Sequence, residues 1–434
     1  MIHLFFRRRV IPISMLLVLL LSFPSYVLSK TVKTSPKAKS SPGAKAAQAP
    51  PGPKGGQASQ ATEGGLHCDA KAAVLMDALT GQVLYEQNPQ LKIGPASFVK
   101  ILTLYLVFDA LRAGQLKMDD MVTVSEKAWR IQGSKMFIKV GDRVNVEDLL
   151  KGIAVSSGND ACIAIAEHMA GTEDVFVSRM NEKAASMGLK DSKFMNSHGM
   201  PAEGQMTTAM DMAILAKRYM EDHPEAMPLH STAEFEYNKI KQGNRNTLLN
   251  KGGVDGLKTG HIEESGYHLL ATAKRDNQRM IAVVMGCDKM STRAREALKL
   301  LDHGFKNFST VEAVAKGSSF GPVKVKRGKE NTVMLVAAET VRVTVPKGKE
   351  KSVSAAPQLP PSVIAPLQKG QPLAKILVQN EGKIVGEAGL ISATEIKKSL
   401  IPPWPVLVGI IAGLVLLGFA GLWWSRRTKQ KKYL

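Results

Sequence analysis

Cysteine is scarce. The chain of 434 residues has three, Cys68, Cys162 and Cys287, far apart in sequence. That is too few and too scattered for a disulfide framework. Each reads as a buried free thiol, and a single bridge between two of them stays open. No Cys/His set has zinc spacing, and no glycine-rich phosphate loop occurs. The expectation is therefore no metal and no cofactor. Acidic residues are nearly missing from the two ends. Residues 1–66 carry nine Lys/Arg against one Glu, and residues 401–434 carry five Lys/Arg and no acid. Those ends supply +8 and +5 of the net +20, leaving a modest +7 for the long middle. The basic balance thus speaks of termini and a membrane surface, and gives no reason to expect a nucleic-acid partner.

Two long uncharged runs are present. Residues 1–29 read as a secretory signal, with Arg7, Arg8 and Arg9 before the apolar Val10 to Phe23 and small residues near Val27-Leu28-Ser29. An uncleaved anchor is the alternative, and export follows either way. Residues 30–66 are Lys, Pro, Ala, Gly, Ser and Gln, a flexible linker with little to bury. At the other end, Pro405 to Trp424 is twenty residues without a charge, long enough to span a bilayer. The transmembrane anchor is set at 403–424, flanked by Trp404, Trp423 and Trp424. The basic tail 425–434 should be cytoplasmic, which puts the folded part on the outer face of the cell membrane.

Between these runs lie two textures. Residues 67–309 open on a hairpin, Ala73 to Asp77 and Gln82 to Tyr85, with Gly81 in the turn. Helical runs follow. They include Phe98 to Leu111, which is apolar all round, and segments near 161–169, 175–187 and 207–222. Strands Tyr267–Ala273 and Met280–Gly286 and a helix from about Thr292 to Phe308 close the unit. The expected fold is α+β, one antiparallel sheet flanked by helices, with a helical insertion between its first and last strands. Residues 310–398 show short strands at 333–337, 341–345, 373–378 and 384–391. They read as a small all-β sandwich domain.

The candidate chemistry starts at Ser97 and Lys100. Gly94 and Pro95 block helix before Ser97, which reads as a residue opening the next one. Positions three apart share a helical face. An ammonium in so apolar a segment is costly unless paired or neutral. A serine beside a lysine that can lose its proton is a nucleophile with its own base. Alone, Ser-x-x-Lys is a common tetrad. Ser157 alone reads as a helix cap, and the loop histidine His198 as structural. Lys258 follows a glycine turn that would expose it to an anion.

Together the three signals are specific. Ser97-x-x-Lys100, then Ser157-Gly158-Asn159, then Lys258-Thr259-Gly260 occur in that order with wide gaps. This resembles the penicillin-recognising serine enzymes, and within them the low-molecular-mass D-alanyl-D-alanine carboxypeptidases. The resemblance covers about Ala72 to Phe308, including Asn196-Ser-His-Gly-Met and Lys258-Thr-Gly-His-Ile. Ala96 stands where Thr is expected, and Phe98-Val99 where Met-Thr is usual.

The resemblance implies a β-lactamase/transpeptidase-like fold and residue roles. Ser97 would attack the carbonyl between the last two D-alanines of a peptidoglycan stem peptide. Lys100 would take its proton, and Ser157 would relay it to the leaving amine. Asn159 would hold Lys100 and the substrate amide. Lys258 and Thr259 would bind the terminal carboxylate. The backbone N–H groups of Ser97 and His261, just after Gly260, would form the oxyanion hole. β-Lactams would inhibit by acylating Ser97. A β-lactamase would need a Glu-x-x-Leu-Asn stretch between the second and third motifs, and none occurs. A D,D-endopeptidase cutting cross-links, or a weakly catalytic wall scaffold, shares the motifs and stays as the alternative.

Overall fold

The computed structural model describes residues 65–400 and 404–430. The expected signal segment and nearly all of the linker lie outside the described residues.

The first two strands, β1 (Ala72–Asp77) and β2 (Val83–Gln87), form the expected antiparallel hairpin, with Val74 opposite Glu86. Asp77 Oδ1 accepts from the N–H groups of Leu79 and Thr80, and Gly81 closes the turn at φ +73°. The next strands of this sheet come much later in the chain. They are β3 (Val254–Ile262), β4 (Gly266–Arg275) and β5 (Gln278–Cys287). The sheet is antiparallel with order β2-β1-β5-β4-β3, so the start and end of the unit close one sheet around the insertion.

Helices cover both faces. On one side Val74, Leu270, Ile281 and Val283 join a large core with α1 (Val99–Arg112), α4 (Asn159–Ala170) and α6 (Ala209–Asp222). The shorter α2 (Glu126–Arg130), α3 (Val146–Lys151) and the longer α5 (Glu173–Ser186) complete that side. On the other, Ala73, Leu75, Leu269, Ala271 and Val284 pack under α7 (Met290–Asn307) through Leu300, Leu301 and Phe305. A sheet buried on both faces has no polar alternation, which is why β4 and β5 read as unbroken apolar runs. α1 is buried along nearly its whole length, as its sequence requires.

After α7 the chain is all β. It runs through β6 (Phe308–Val314), β7 (Ser319–Lys326), β8 (Thr332–Ala337), β9 (Val341–Pro346), β10 (Val353–Gln358), β11 (Ser362–Ile364), β12 (Pro372–Asn380) and β13 (Lys383–Ser392). A six-stranded sheet of order β10-β12-β13-β8-β7-β11 and the pair β6-β9 enclose Leu335, Val343, Val345, Ile376, Val378 and Leu390. Four of these eight strands were legible beforehand. β6, β7, β10 and β11 were not, because they are largely half-buried or exposed and lack a clean apolar pattern.

The last element is α8 (Trp404–Gln430). Trp404–Arg426 is long and apolar enough to cross a membrane, and its most apolar stretch is not buried against the rest of the chain. Leu416, Leu417 and Phe419 are each more than two-thirds exposed. So much contiguous apolar surface calls for lipid. A chain ending at Ser399 is expected to be soluble and active once its signal is removed. A truncated protein that still sediments with membranes overturns the anchor.

Candidate active site

Ser97 sits in a single 3-10 turn, Ala96–Phe98, directly before α1. The expectation that Ser97 opens the helix by capping it is corrected. Phe98 is the N-cap and makes no side-chain capping bond. Instead the Ser97 hydroxyl is left free for the site. Ala96 has a left-handed φ of +49°. The loop carrying His198 presses on this turn from outside. A Cβ on Gly199, whose φ is +90°, would lie 1.9 Å from the Ala96 carbonyl oxygen. Only glycine allows that approach.

Lys100 is on the first turn of α1 and fully buried. Its Nζ lies 3.0 Å from Ser97 Oγ and 2.8 Å from Asn159 Oδ1, and it donates to the His198 carbonyl. A neutral amine has two N–H bonds and one lone pair. The two carbonyl oxygens take the two donors, which leaves the lone pair for the Ser97 O–H. Burial lowers the Lys100 pKa from 10.5 to about 8. The nearby Arg245 guanidinium pushes the same way, and Asp160 opposes it.

Ser157 does not cap α4 as its sequence suggested. The N-cap is Gly158, and Ser157 is a left-handed residue (φ 60°, ψ 34°) at the end of a π-helical turn, Gly152–Ser156. A strained non-glycine residue of this kind belongs at a functional site. Here it turns Ser157 Oγ toward Ser97 Oγ, 3.0 Å away. Asn159 and Asp160 then fasten the opposite wall. Asn159 Nδ2 donates to Gln132 O at 2.8 Å, and the Asp160 carboxylate accepts from the N–H groups of Met136, Phe137 and Ile138.

The third motif lies on β3. Lys258 does not simply follow a turn, as its sequence suggested. It is in mid-strand opposite Leu270, buried, on the strand that ends the sheet. Its Nζ donates only weakly, to Thr259 O at 3.3 Å, and no acid pairs with it among the described residues. Burial, then Lys100 and Arg245, depress its pKa well below 10.5. Thr259 beside it is buried. A Cβ on Gly260 would stand 3.4 Å from Ser97 N, so β3 runs hard against the turn that carries Ser97. The exposed His261 ring stacks on Tyr267 at 4.0 Å.

The structure therefore brings Ser97, Lys100, Ser157 and Asn159 into one bonded group, with Lys258 coupled to it through charge alone. Sequence reading missed three residues. Arg245, in a loop, lowers the pKa of both lysines through its charge. Arg293 on α7 donates to Gly260 O at 3.0 Å and so holds β3 from behind. His198 supplies a backbone carbonyl, which no side-chain motif reveals. Only Asn196-Ser-His-Gly-Met pointed there.

A serine hydroxyl bonded to a buried amine, set under a strand edge that carries a buried lysine on an α+β fold, has the makings of a serine acyl-transfer site. Residues 57–289 match the D-alanyl-D-alanine carboxypeptidase family, and residues 308–398 match the C-terminal domain of penicillin-binding protein 5. The chain belongs to that carboxypeptidase family. It is 43% identical over 332 residues to D-alanyl-D-alanine carboxypeptidase DacC of Escherichia coli K12, covering 74% of this chain and 83% of the relative. Penicillin binding protein 5 from Haemophilus influenzae superposes with a TM-score of 0.72 at 39% identity, covering 76% of this chain and 98% of that one. Penicillin binding protein 6B from Escherichia coli gives 0.62 at 35% identity, covering 75% and 96%. The expectations of an α+β catalytic fold, a C-terminal β domain and a serine carboxypeptidase are borne out.

Proposed function

We propose that Ser97, Lys100 and Ser157 carry the reaction, and that Asn159, Lys258, Thr259, Gly260 and His261 bind the substrate. The chain is a serine-type D-alanyl-D-alanine carboxypeptidase, and these roles describe how it removes the last D-alanine of a stem pentapeptide. The observation that carries the assignment is the buried, acid-free Lys258 beside a serine hydroxyl bonded to an amine. A buried cation with no acid paired to it among the described residues is built for an anion.

The substrate lies extended along the open edge of β3, its terminal carboxylate at Lys258 and Thr259. That carboxylate lets Lys258 keep its proton, and a charged Lys258 in turn favours neutral Lys100. Ser97 Oγ attacks the carbonyl while its proton passes to Lys100 Nζ. The oxyanion is held by the N–H groups of Ser97 and His261. The C–N bond breaks as Ser157 hands its proton to the leaving D-alanine amine and is reprotonated from Lys100, which returns to the neutral amine. Water then attacks the acyl-enzyme and gives a proton to Lys100, and that proton passes to Ser97 Oγ as the acyl–oxygen bond breaks and the serine is freed. The acyl half of the peptide points away from Lys258. An open cavity of about 390 Å³ lies on that side, lined by Gly94, Pro95, Pro201, Ile262 and Glu264 among others.

Residues 67–309 form the proposed catalytic unit. Residues 310–398 are a stalk or docking surface, and 403–424 anchor the chain with the site on the outer face of the membrane. β-Lactams, which present a carboxylate and a strained amide, are the proposed inhibitors. Incubation with a stem pentapeptide, with products weighed, tests the reading. Release of one D-alanine supports it. Cleavage of cross-linked dimers alone moves the protein to the endopeptidases, and no product to a scaffold.

Lys258→Ala is expected to lose activity on the free acid by about 30-fold or more, since an unpaired buried charge costs about 2–5 kcal/mol. The ester of the same peptide should be affected far less. Equal losses on both would give Lys258 another role.

A further inference from the structure

Glu173 lies outside all three motifs, yet its carboxylate is built into the wall of the site. It is the first residue of α5, and only 5% of it is exposed. Its Oε1 accepts from Ser197 N at 3.0 Å and from Ser197 Oγ at 2.6 Å. The same oxygen lies 3.5 Å from His198 Nε2, and Oε2 lies 2.9 Å from Lys127 Nζ on α2. His198 Nδ1 accepts from Met200 N–H at 3.2 Å, so a neutral ring carries its proton on Nε2, facing Glu173. Burial pushes the His198 pKa down to about 4, which keeps the ring neutral at working pH.

The segment held this way meets α1 through two consecutive carbonyls. Thr103 Oγ1 donates to Ser197 O at 2.6 Å, and Lys100 Nζ donates to His198 O. The Ser197 N–H and hydroxyl are thus held by Glu173, and the Ser197 and His198 carbonyls by α1. The carbonyl of His198 is one of the two acceptors that orient the Lys100 amine. Without it, only Asn159 Oδ1 would restrain the rotation of Nζ, and the lone pair would no longer be fixed on Ser97.

We infer that Glu173 is a positioning residue for this reaction: by gripping Ser197 and His198 it sets the carbonyl that aims the Lys100 amine at the serine. The inference rests on the proposed role of Lys100 as base. Glu173 acts by hydrogen bonding rather than by charge. Its charge is not among the main influences on Lys100, whose neighbours are Cys162 and Asp160 on α4 and Arg245.

The test compares full-length wild type, Glu173→Gln and Glu173→Ala in detergent. It measures acylation by a labelled penicillin and kcat and KM on the pentapeptide. Glu173→Ala should acylate about tenfold or more slowly, with kcat reduced and KM within about twofold, since the carboxylate-binding edge of β3 is untouched. Glu173→Gln should recover to within about threefold of wild type, because its amide oxygen still accepts from Ser197 N–H and O–H. A loss in Glu173→Gln as deep as in Glu173→Ala overturns positioning by hydrogen bond. So does an unchanged rate in Glu173→Ala. Should Glu173→Ala fail to fold, Ser197→Ala, which removes one of the two bonds, should slow acylation measurably. A wild-type rate there also overturns the inference. A dead Lys100→Arg control keeps the base assignment separate. If Lys100→Arg is active, it is the proposed base that fails, whatever Glu173 does.

Discussion

Ser97→Ala is expected to remain folded and to take up no labelled penicillin under conditions that saturate the wild type. The Ser97 hydroxyl makes two contacts, with Lys100 Nζ and Ser157 Oγ, each at 3.0 Å. Lys100 keeps its bonds to Asn159 and His198, so removing one oxygen should cost about 1 kcal/mol of stability, the net worth of a typical hydrogen bond. The chemical loss is of another order. Ser157 Oγ is near but has no amine at its back, since Lys100 is fastened to Ser97, Asn159 and His198. Without Ser97 no hydroxyl in the cleft is paired with a base, and no acyl-enzyme forms. Mass measurement of the labelled wild type should place the adduct on the peptide holding Ser97. An adduct that persists in Ser97→Ala removes Ser97 as the nucleophile.

How much of this was readable beforehand depends on the range of the interaction. The motif residues were legible because each is a side chain with its own chemistry at a fixed spacing. The sheet was legible because its strands are apolar on both faces. Ser157 was misread as a cap because a left-handed residue after a π turn has no sequence signal unless it is glycine or asparagine. Lys258 was misread because Gly252 and Gly253 precede it and suggest a loop, whereas β3 starts at Val254. Lysine in mid-strand has low strand propensity. It is held there by the sheet and by Arg293 on the Gly260 carbonyl, a contact between residues 33 positions apart. His198 and Glu173 escaped for a related reason. One acts through its backbone and the other through a third residue, so neither has a local pattern. In the β domain the edge strands were missed where the core strands were found. Burial imprints a pattern, and an edge such as Val353–Gln358 has little burial to imprint.

Lys100→Arg is expected to be folded and close to inactive. Guanidinium fills the same corridor and can donate to Asn159 Oδ1 and the His198 carbonyl. It stays protonated and cannot accept from Ser97. The wild type should show the complementary behaviour in pH. Burial places the Lys100 pKa near 8 rather than 10.5, so acylation should rise about tenfold from pH 7 to pH 9 as the amine loses its proton. The other ionisable groups around Nζ leave this limb readable. His198 is already neutral, its pKa held near 4, and the Cys162 thiol is pushed up to about 12 by burial. Burial raises the Asp160 carboxyl and lowers the Arg245 guanidinium from their ordinary values. Lys258 does not stand apart, because Lys100 lowers its pKa. The midpoint therefore belongs to the lysine pair, and a bound carboxylate should shift it. Acylation by Lys100→Arg at the wild-type rate, or a flat profile from pH 6 to 9, would show that the amine beside Ser97 is not the base.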